Sequence, residues 1–488
     1  MPQPFPVGTD ATLVDRSSRK VCIIGGGPVG CSLGVMLSKH GFGVHIYERY
    51  VDIRVVPPPS GRSINLVLTN RGLKLADELG IRERLLDSSV KVSGRMMHSP
   101  DGAQIYQAYG RSGECNYSID RSALNKFWLT EAENNGCLLH FDHAVSGLDM
   151  ERSRVVFNHA DGGSTELSLS QFDIVFGSDG AGSAVRASLV SSGAVSATED
   201  MLSAGYKEVT FPAGPEGKYL MDANSLHIWA RGSHMLMGLA NLDGSFTGTI
   251  FMDREGSEAS FERACESSQA AEKFWTDHYS DALELAGRQA TVSAFVTSRV
   301  GLLGTVRCAP WHHTPQGGPM YCLIGDAAHA IVPFFGQGVN CGFEDVVVLK
   351  HLLSKTSDLL GAVSIFGITR KTDSDAIASL ALENFEEMRS RVADAYFLFH
   401  KRVDGFVMNA FPTKYRTRYT MIMYSYNSYS VCLEFGVHAS RFIDLVIRNF
   451  RLDESSDFSK DVDLMELERL IDEHITPVVS ELGVSFEF

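Results

Sequence analysis

Residues 20–48 read KVCIIGGGPVGCSLGVMLSKHGFGVHIYE, and the succession of patterns within them decides the fold class. Lys20-Val-Cys-Ile-Ile24 is a short apolar run that ends in glycines, which predicts a buried strand. Val29, Leu33, Met36 and Leu37 then recur at helical spacing until Gly41, and Val44-His-Ile-Tyr-Glu48 alternates like a second strand. Strand, turn, helix and strand within about 30 residues make the smallest parallel crossover unit. Between the first strand and the helix, Gly25 to Gly30 form a G-x-G-x-x-G in its required context. Gly25 permits the tight turn, Gly27 lets a pyrophosphate approach the backbone, and Gly30 lets helix and strand pack closely. Pro28 suits the first helical turn, whose free N–H groups and positive dipole end attract an anion. Glu48, ending the second strand, can accept ribose hydroxyls and repels a 2′-phosphate, so the site suits FAD or NAD and not NADPH.

Composition narrows the class further. At 488 residues the chain holds roughly two to four domains, and 44% hydrophobic with 21% charged residues is ordinary for a globular protein. A net charge of -15 argues against nucleic-acid binding, which needs a basic face. The nine cysteines form no C-x-x-C pair and read as reduced thiols of an intracellular protein. His312 and His313 are adjacent and point to opposite faces of a strand, so no metal site is expected. The first 20 residues lack an apolar signal core, and no apolar run reaches the ~20 residues of a membrane helix, which predicts a soluble chain with a loose N-terminal lead-in.

Further along, Pro57–Pro59 predict a rigid loop, 73–87 and 121–135 helices, and 90–109 short strands about a turn at Pro100-Asp-Gly102. Residues 172–177 and Tyr321–Ile324 are buried-strand candidates, ending at Asp179-Gly180 and Gly325-Asp326. From about 205 to 300, SLHIWA, HMLMGLAN and FTGTIFM predict a mostly antiparallel sheet with one helix near 258–285. Beyond about 339 the pattern is helical, with 453–461 a linker. Asp326 can accept hydrogen bonds from ribityl hydroxyls. The Gly336-Gln-Gly338 turn aims the N–H groups of Val339 and Asn340 at a developing negative charge, and Pro333, Phe334 and Phe335 offer an apolar wall. His329 reads as a structural histidine, and Leu226, Ile228 and Phe246 as lining of a ring pocket or as core.

The first turn, Asp179-Gly180 and Gly325-Asp326, in this order, resemble the three flavin signatures of the single-component FAD-dependent aromatic-ring hydroxylases. Gly61–Gly72, Arg95–His98, Leu226–Trp229, Gly325–Asn340 and Asn384–Arg389 resemble its kynurenine-hydroxylating branch, over about residues 19–430. The resemblance implies an α/β fold: a Rossmann-like FAD-binding domain (19–89, 115–200, 306–375), an inserted substrate-binding sheet (90–114, 201–305) and a helical C-terminal region (376–488). It implies bound FAD, NADPH as transient co-substrate and oxygen, acting in 3-hydroxylation of L-kynurenine in tryptophan degradation toward NAD. By resemblance Gly25, Gly27, Val29, Gly30, Glu48, Val67, Arg121, Val145, Asp179, Asp326, Gly338, Val339 and Asn340 contact FAD. Arg95, Tyr109, Asn384, Tyr419 and Phe334 would hold the substrate, and Glu387, one turn after Asn384, would meet its ammonium group or order a water. Read without the resemblance, Arg95, Arg121 and Glu387 are surface charges and Asp179-Gly180 a simple turn.

Val67, Thr69, Asn70 and Val339 depart conservatively from the commoner residues of that branch. Eukaryotic members usually end in a hydrophobic anchor, whereas 431–488 here offer amphipathic helices, so the expected location is the cytoplasm or the periphery of the mitochondrial outer membrane. A hydroxylase of another aromatic acid, an inactive flavin-bound scaffold, and a monomer or homodimer all stay open at this point.

Overall fold

The computed structural model describes residues 19–56, 64–356, 358–387 and 395–486; the Pro57–Pro59 loop lies outside them. A six-stranded sheet runs in the order His312–His313, Met320–Leu323, Ile174–Gly177, Lys20–Ile24, Gly43–Tyr47, Leu138–His140. All neighbours are parallel except the short 312–313 strand. Val21 to Ile24 are completely buried, as the apolar run requires of a sheet covered on both faces. The order has a direct consequence for the site. Three adjacent strands end side by side at Gly25, Ser178 and Gly325, so signatures distant in sequence meet at one sheet edge.

A seven-stranded sheet follows the order Gly301–Ala309, Ser196–Phe211, Phe246–Asp253, His234–Ala240, Ser225–Arg231, Gly94–His98, Gln104–Ala108. It is antiparallel throughout except where Ser225–Arg231 pairs in parallel with Gly94–His98. The single helix expected near 258–285 is three: Phe261–Ala264, Ser268–Ala286 and Arg288–Thr297. Ser260 and Ser267 each cap a new start, and Gly287 at φ 85° separates the last two. These helices cover one face of the sheet through Trp229, Phe246, Trp275, Tyr279 and Phe295.

Leu359–Glu386 runs through residue 375 and so joins the flavin half to the C-terminal helices without a break. Of those, Tyr429–Phe450 is capped by Ser428 and buries Cys432, Phe435, Phe442 and Ile443. Among the described residues no helix is long and apolar enough to cross a membrane.

Candidate active site

The glycine turn behaves as its spacing demands. Gly25 sits at φ +110°, and a Cβ there would stand 2.4 Å from the Ser178 carbonyl oxygen. A Cβ on Gly30 would stand 2.1 Å from the Gly25 carbonyl oxygen. At Gly27, in contrast, a Cβ would meet nothing within 4 Å, which leaves an open cradle over the start of helix Pro28–Lys39. That helix has no side-chain cap, so its first N–H groups stay available to a phosphate. Glu48 is engaged with the turn itself: its Oε2 accepts from Gly26 N–H at 2.7 Å and its Oε1 from Tyr50 N–H at 3.0 Å. Burial lifts its pKa, against the pull of those donors.

Asp179 turns away from the cradle. Its carboxylate accepts from Ser183 Oγ (2.5 Å), Ala184 N–H (2.7 Å) and Val185 N–H (3.2 Å), bracing the start of helix Ala184–Ser191. Its neighbours Ser178 and Gly180 face the cavity instead. Val145 packs against the core of the flavin half on a strand pairing with Arg154–Asn158.

From the cradle a cavity of about 340 Å³ extends past Asp326, Arg121 and Val67 to the seven-stranded sheet. Helix Gly338–Lys355 opens onto it without a side-chain cap, and Gly338 and Val339 line it. Asn340 spends its side chain on the scaffold: Nδ2 donates to the carbonyls of Val67 and Gly336 (both 2.8 Å), and Oδ1 accepts from Thr69 N–H (2.9 Å). Behind this lies a buried ionic cluster. Asp345 accepts from Gly325 N–H (3.1 Å), His329 Nε2 (2.6 Å) and Arg370 Nε (2.9 Å). Glu344 pairs with Arg370 at 2.9 Å and with Arg71, whose guanidinium lies 4.1 Å from the Tyr429 ring centroid. His329 also stacks on Trp311, so it is a structural histidine. His329, Cys341 and Asp345 lie close enough to share a metal ion, but Arg370 occupies Asp345 and reaches Cys341 Sγ at 3.4 Å, and a fixed cation there opposes a second one.

At the far end Arg95 lies between two phenols, its guanidinium carbon 5.3 Å from the Tyr109 ring centroid and 4.9 Å from that of Tyr419. Burial raises the pKa of both phenols, so they stay protonated. Among the described residues no carboxylate forms an ion pair with Arg95. Phe334 stacks on Phe385 (4.4 Å) and leans on Phe251 (5.2 Å), and Phe335 stacks on Tyr419 (5.9 Å). Asn384 does not line the cavity; it donates to the Phe334 carbonyl at 2.7 Å and braces that wall. Glu387 is directed at Arg418 (3.5 Å) and Lys401 (3.6 Å).

Comparison with known proteins agrees with this geometry. Residues 18–358 match the family model described as an FAD binding domain. Kynurenine 3-monooxygenase of Myxococcus xanthus is 37% identical over 96% of this chain and 97% of its own length. The chain belongs to the kynurenine 3-monooxygenase family. The Flavobacterium psychrophilum member is also 37% identical, over 86% of this chain and 92% of its own. As a kynurenine 3-monooxygenase family member the chain is an FAD-dependent monooxygenase, and the open Gly27 cradle and two uncapped helix starts fit that cofactor. The fold alone is shared with 2-methyl-3-hydroxypyridine-5-carboxylic acid oxygenase (TM-score 0.59, 18% identity, 76% of this chain and 93% of the other). The same holds for P. aeruginosa PqsL (TM-score 0.59, 16% identity, 76% and 97%).

Of the expected ring-pocket residues only Leu226 lines the cavity. Ile228 is buried without reaching it, and Phe246 packs on the opposite face with Tyr219 and His227. The strand alternation instead presents Thr247, Thr249 and Phe251, joined by Met237 and Leu239. That alternation is visible in FTGTIFM; which set faces inward is not.

Proposed function

We propose that the chain hydroxylates L-kynurenine at ring position 3, consuming NADPH and oxygen. The observation that carries this reading is Arg95, a cation held between Tyr109 and Tyr419 at the end of the FAD cavity, with no carboxylate among the described residues paired to it. A partly buried guanidinium facing the cavity calls for an anionic ligand, and the α-carboxylate of an amino acid matches its fork. The neutral Tyr109 and Tyr419 phenols add donors beside it. FAD held by the Gly25–Gly30 turn and the start of Gly338–Lys355 would supply the chemistry of hydride acceptance from NADPH and of oxygen activation. The chain's own share is arrangement. The first N–H groups of Gly338–Lys355 face growing negative charge, and Phe334, Phe335 and Phe251 keep water from the reacting region. The substrate's aniline nitrogen activates the neighbouring ring carbon, so no strong protein base is needed.

The test is NADPH consumption by the flavin-loaded protein with and without L-kynurenine, with 3-hydroxykynurenine followed by mass. Stimulated consumption with matching product is expected. Stimulation without product, or none at all, refutes kynurenine as the substrate and points to another aromatic acid.

A further inference from the structure

On the opposite face of the seven-stranded sheet, Lys207 extends from strand Ser196–Phe211 into the layer beneath helices 261–297. It is 3% exposed, and among the described residues no carboxylate pairs with it. Its Nζ instead donates to the Phe295 carbonyl at 2.5 Å and to Cys265 Sγ at 3.3 Å, with the Phe261 and Phe295 rings 5.6 and 5.2 Å away. Cys265 follows helix Phe261–Ala264 and is itself unusual: of the nine cysteines it is the one that is not fully buried. A buried ammonium lacking a counter-ion is an uncommon expense in a fold, and hydrogen bonding to a sulfur and one carbonyl compensates it poorly. Burial raises the thiol pKa of Cys265, and the Lys207 ammonium opposes that rise only in part, so the reactivity of the pair rests on their 3.3 Å contact.

We propose that Lys207 and Cys265 form an oxidant-responsive site that closes to a covalent sulfur–nitrogen bridge when hydrogen peroxide reaches the partly exposed Cys265. A flavin monooxygenase supplies that oxidant itself whenever oxygen is reduced without substrate being hydroxylated. The Cys265 thiol takes one oxygen from peroxide, giving the sulfenic acid and water, so sulfur loses two electrons and peroxide is reduced. The Lys207 amine then attacks that sulfur, the S–N bond forms as the S–O bond breaks, and hydroxide leaves with a proton from the ammonium as water. The second proton of the ammonium passes to solvent. A small thiol reverses the bridge by attacking the sulfur and releasing the amine. The bridge ties the strand next to Phe246–Asp253, which supplies Thr247, Thr249 and Phe251 to the cavity, to the helical layer over the sheet.

The experiment treats the flavin-loaded full chain with hydrogen peroxide, then unfolds, alkylates and digests it for mass spectrometry. A peptide pair joining Lys207 to Cys265, lighter than the two peptides together by two hydrogens and separated by dithiothreitol, is expected. In Lys207→Met the sulfenic acid has no amine to capture it, so Cys265 should instead take up dimedone. Cys265→Ser should give neither product, which covers the case in which Lys207→Met does not fold. Cys265 recovered as free thiol, or as sulfenic or sulfinic acid with Lys207 unmodified in the wild type, overturns the proposal.

Discussion

Replacing Arg95 with methionine separates the binding role of this side chain from any structural one. In the free protein the partly buried guanidinium lies against Tyr109 and Tyr419, and among the described residues no carboxylate pairs with it, so its removal takes away no ion pair seen there. It loses two cation–π contacts of about 0.5–2 kcal/mol each together with the guanidinium's hydrogen bonds to Tyr419 and Tyr109, so the melting temperature should fall only modestly. In the complex the same change strands the substrate carboxylate in an apolar cavity. Truncating one partner of a buried, hydrogen-bonded charge pair costs about 2–5 kcal/mol, or roughly thirtyfold to several-thousandfold in Kd. Titrating the flavin absorbance with L-kynurenine, beside a thermal melt, reads both quantities. Arg95→Lys should fall between the two, since it keeps the charge but loses the fork and the stacking. A Kd within about threefold of wild type for Arg95→Met would refute the reasoning outright.

Four further outcomes follow from the same geometry. Gly27→Ala should leave the apoprotein's melting temperature unchanged, because its Cβ meets no protein atom within 4 Å, yet weaken FAD by about tenfold or more, measured by flavin fluorescence titration. Burial works against the His329 imidazolium, but the Asp345 carboxylate outweighs it and raises the His329 pKa well above 6.5. The stability from that raised value is fully present below about pH 6.5 and is lost as pH climbs through the folded value, by at most about 1.4 kcal/mol per unit, so denaturation midpoints should fall over that range and His329→Gln should flatten the fall. Phe334→Ala breaches the wall against Phe385 and Phe251, so product per NADPH should drop and peroxide rise, assayed by the ratio of the two. Glu387→Gln should change kcat/KM less than about threefold, because Arg418 and Lys401 and not the cavity hold that carboxylate.

Of the three turns at the sheet edge the first is legible in the residues themselves, whereas Asp179-Gly180 reads as a simple turn until the resemblance joins it to the others. Gly25 and Gly30 answer to backbone atoms closer than 2.5 Å to any Cβ, and such a demand leaves a local mark. Arg95 left none. Its position at the cavity depends on Gly94–His98 pairing in parallel with Ser225–Arg231, and on Tyr419 arriving from the C-terminal helices. Only the family resemblance singled it out. Asn384 and Glu387 share a helix face, as their spacing implies, but what that face meets is fixed by Phe334, Arg418 and Lys401 from elsewhere in the chain. Phe246 reads equally as pocket lining or core in the sequence, and register gives the cavity to Thr247, Thr249 and Phe251. The small sheet of Ala144–Asp149, Arg154–Asn158 and Ser164–Ser168 went unread, its outer strands being mostly exposed and lacking an apolar period.

The buried cluster around Glu344 and Asp345 also bears on how such enzymes can be recombined. It draws Arg71 from helix Asn70–Leu79, Arg370 and Asp373 from the long helix, and Tyr429 and Ser430 from the C-terminal helix into one ionic lattice. A chimera that grafts another homologue's tail after residue 425 keeps Arg71 and Asp373 but exchanges the residues that meet them. Swaps of substrate-specificity elements between relatives should therefore be cut so that these positions travel as a set, with crossovers placed in the exposed turns of the seven-stranded sheet.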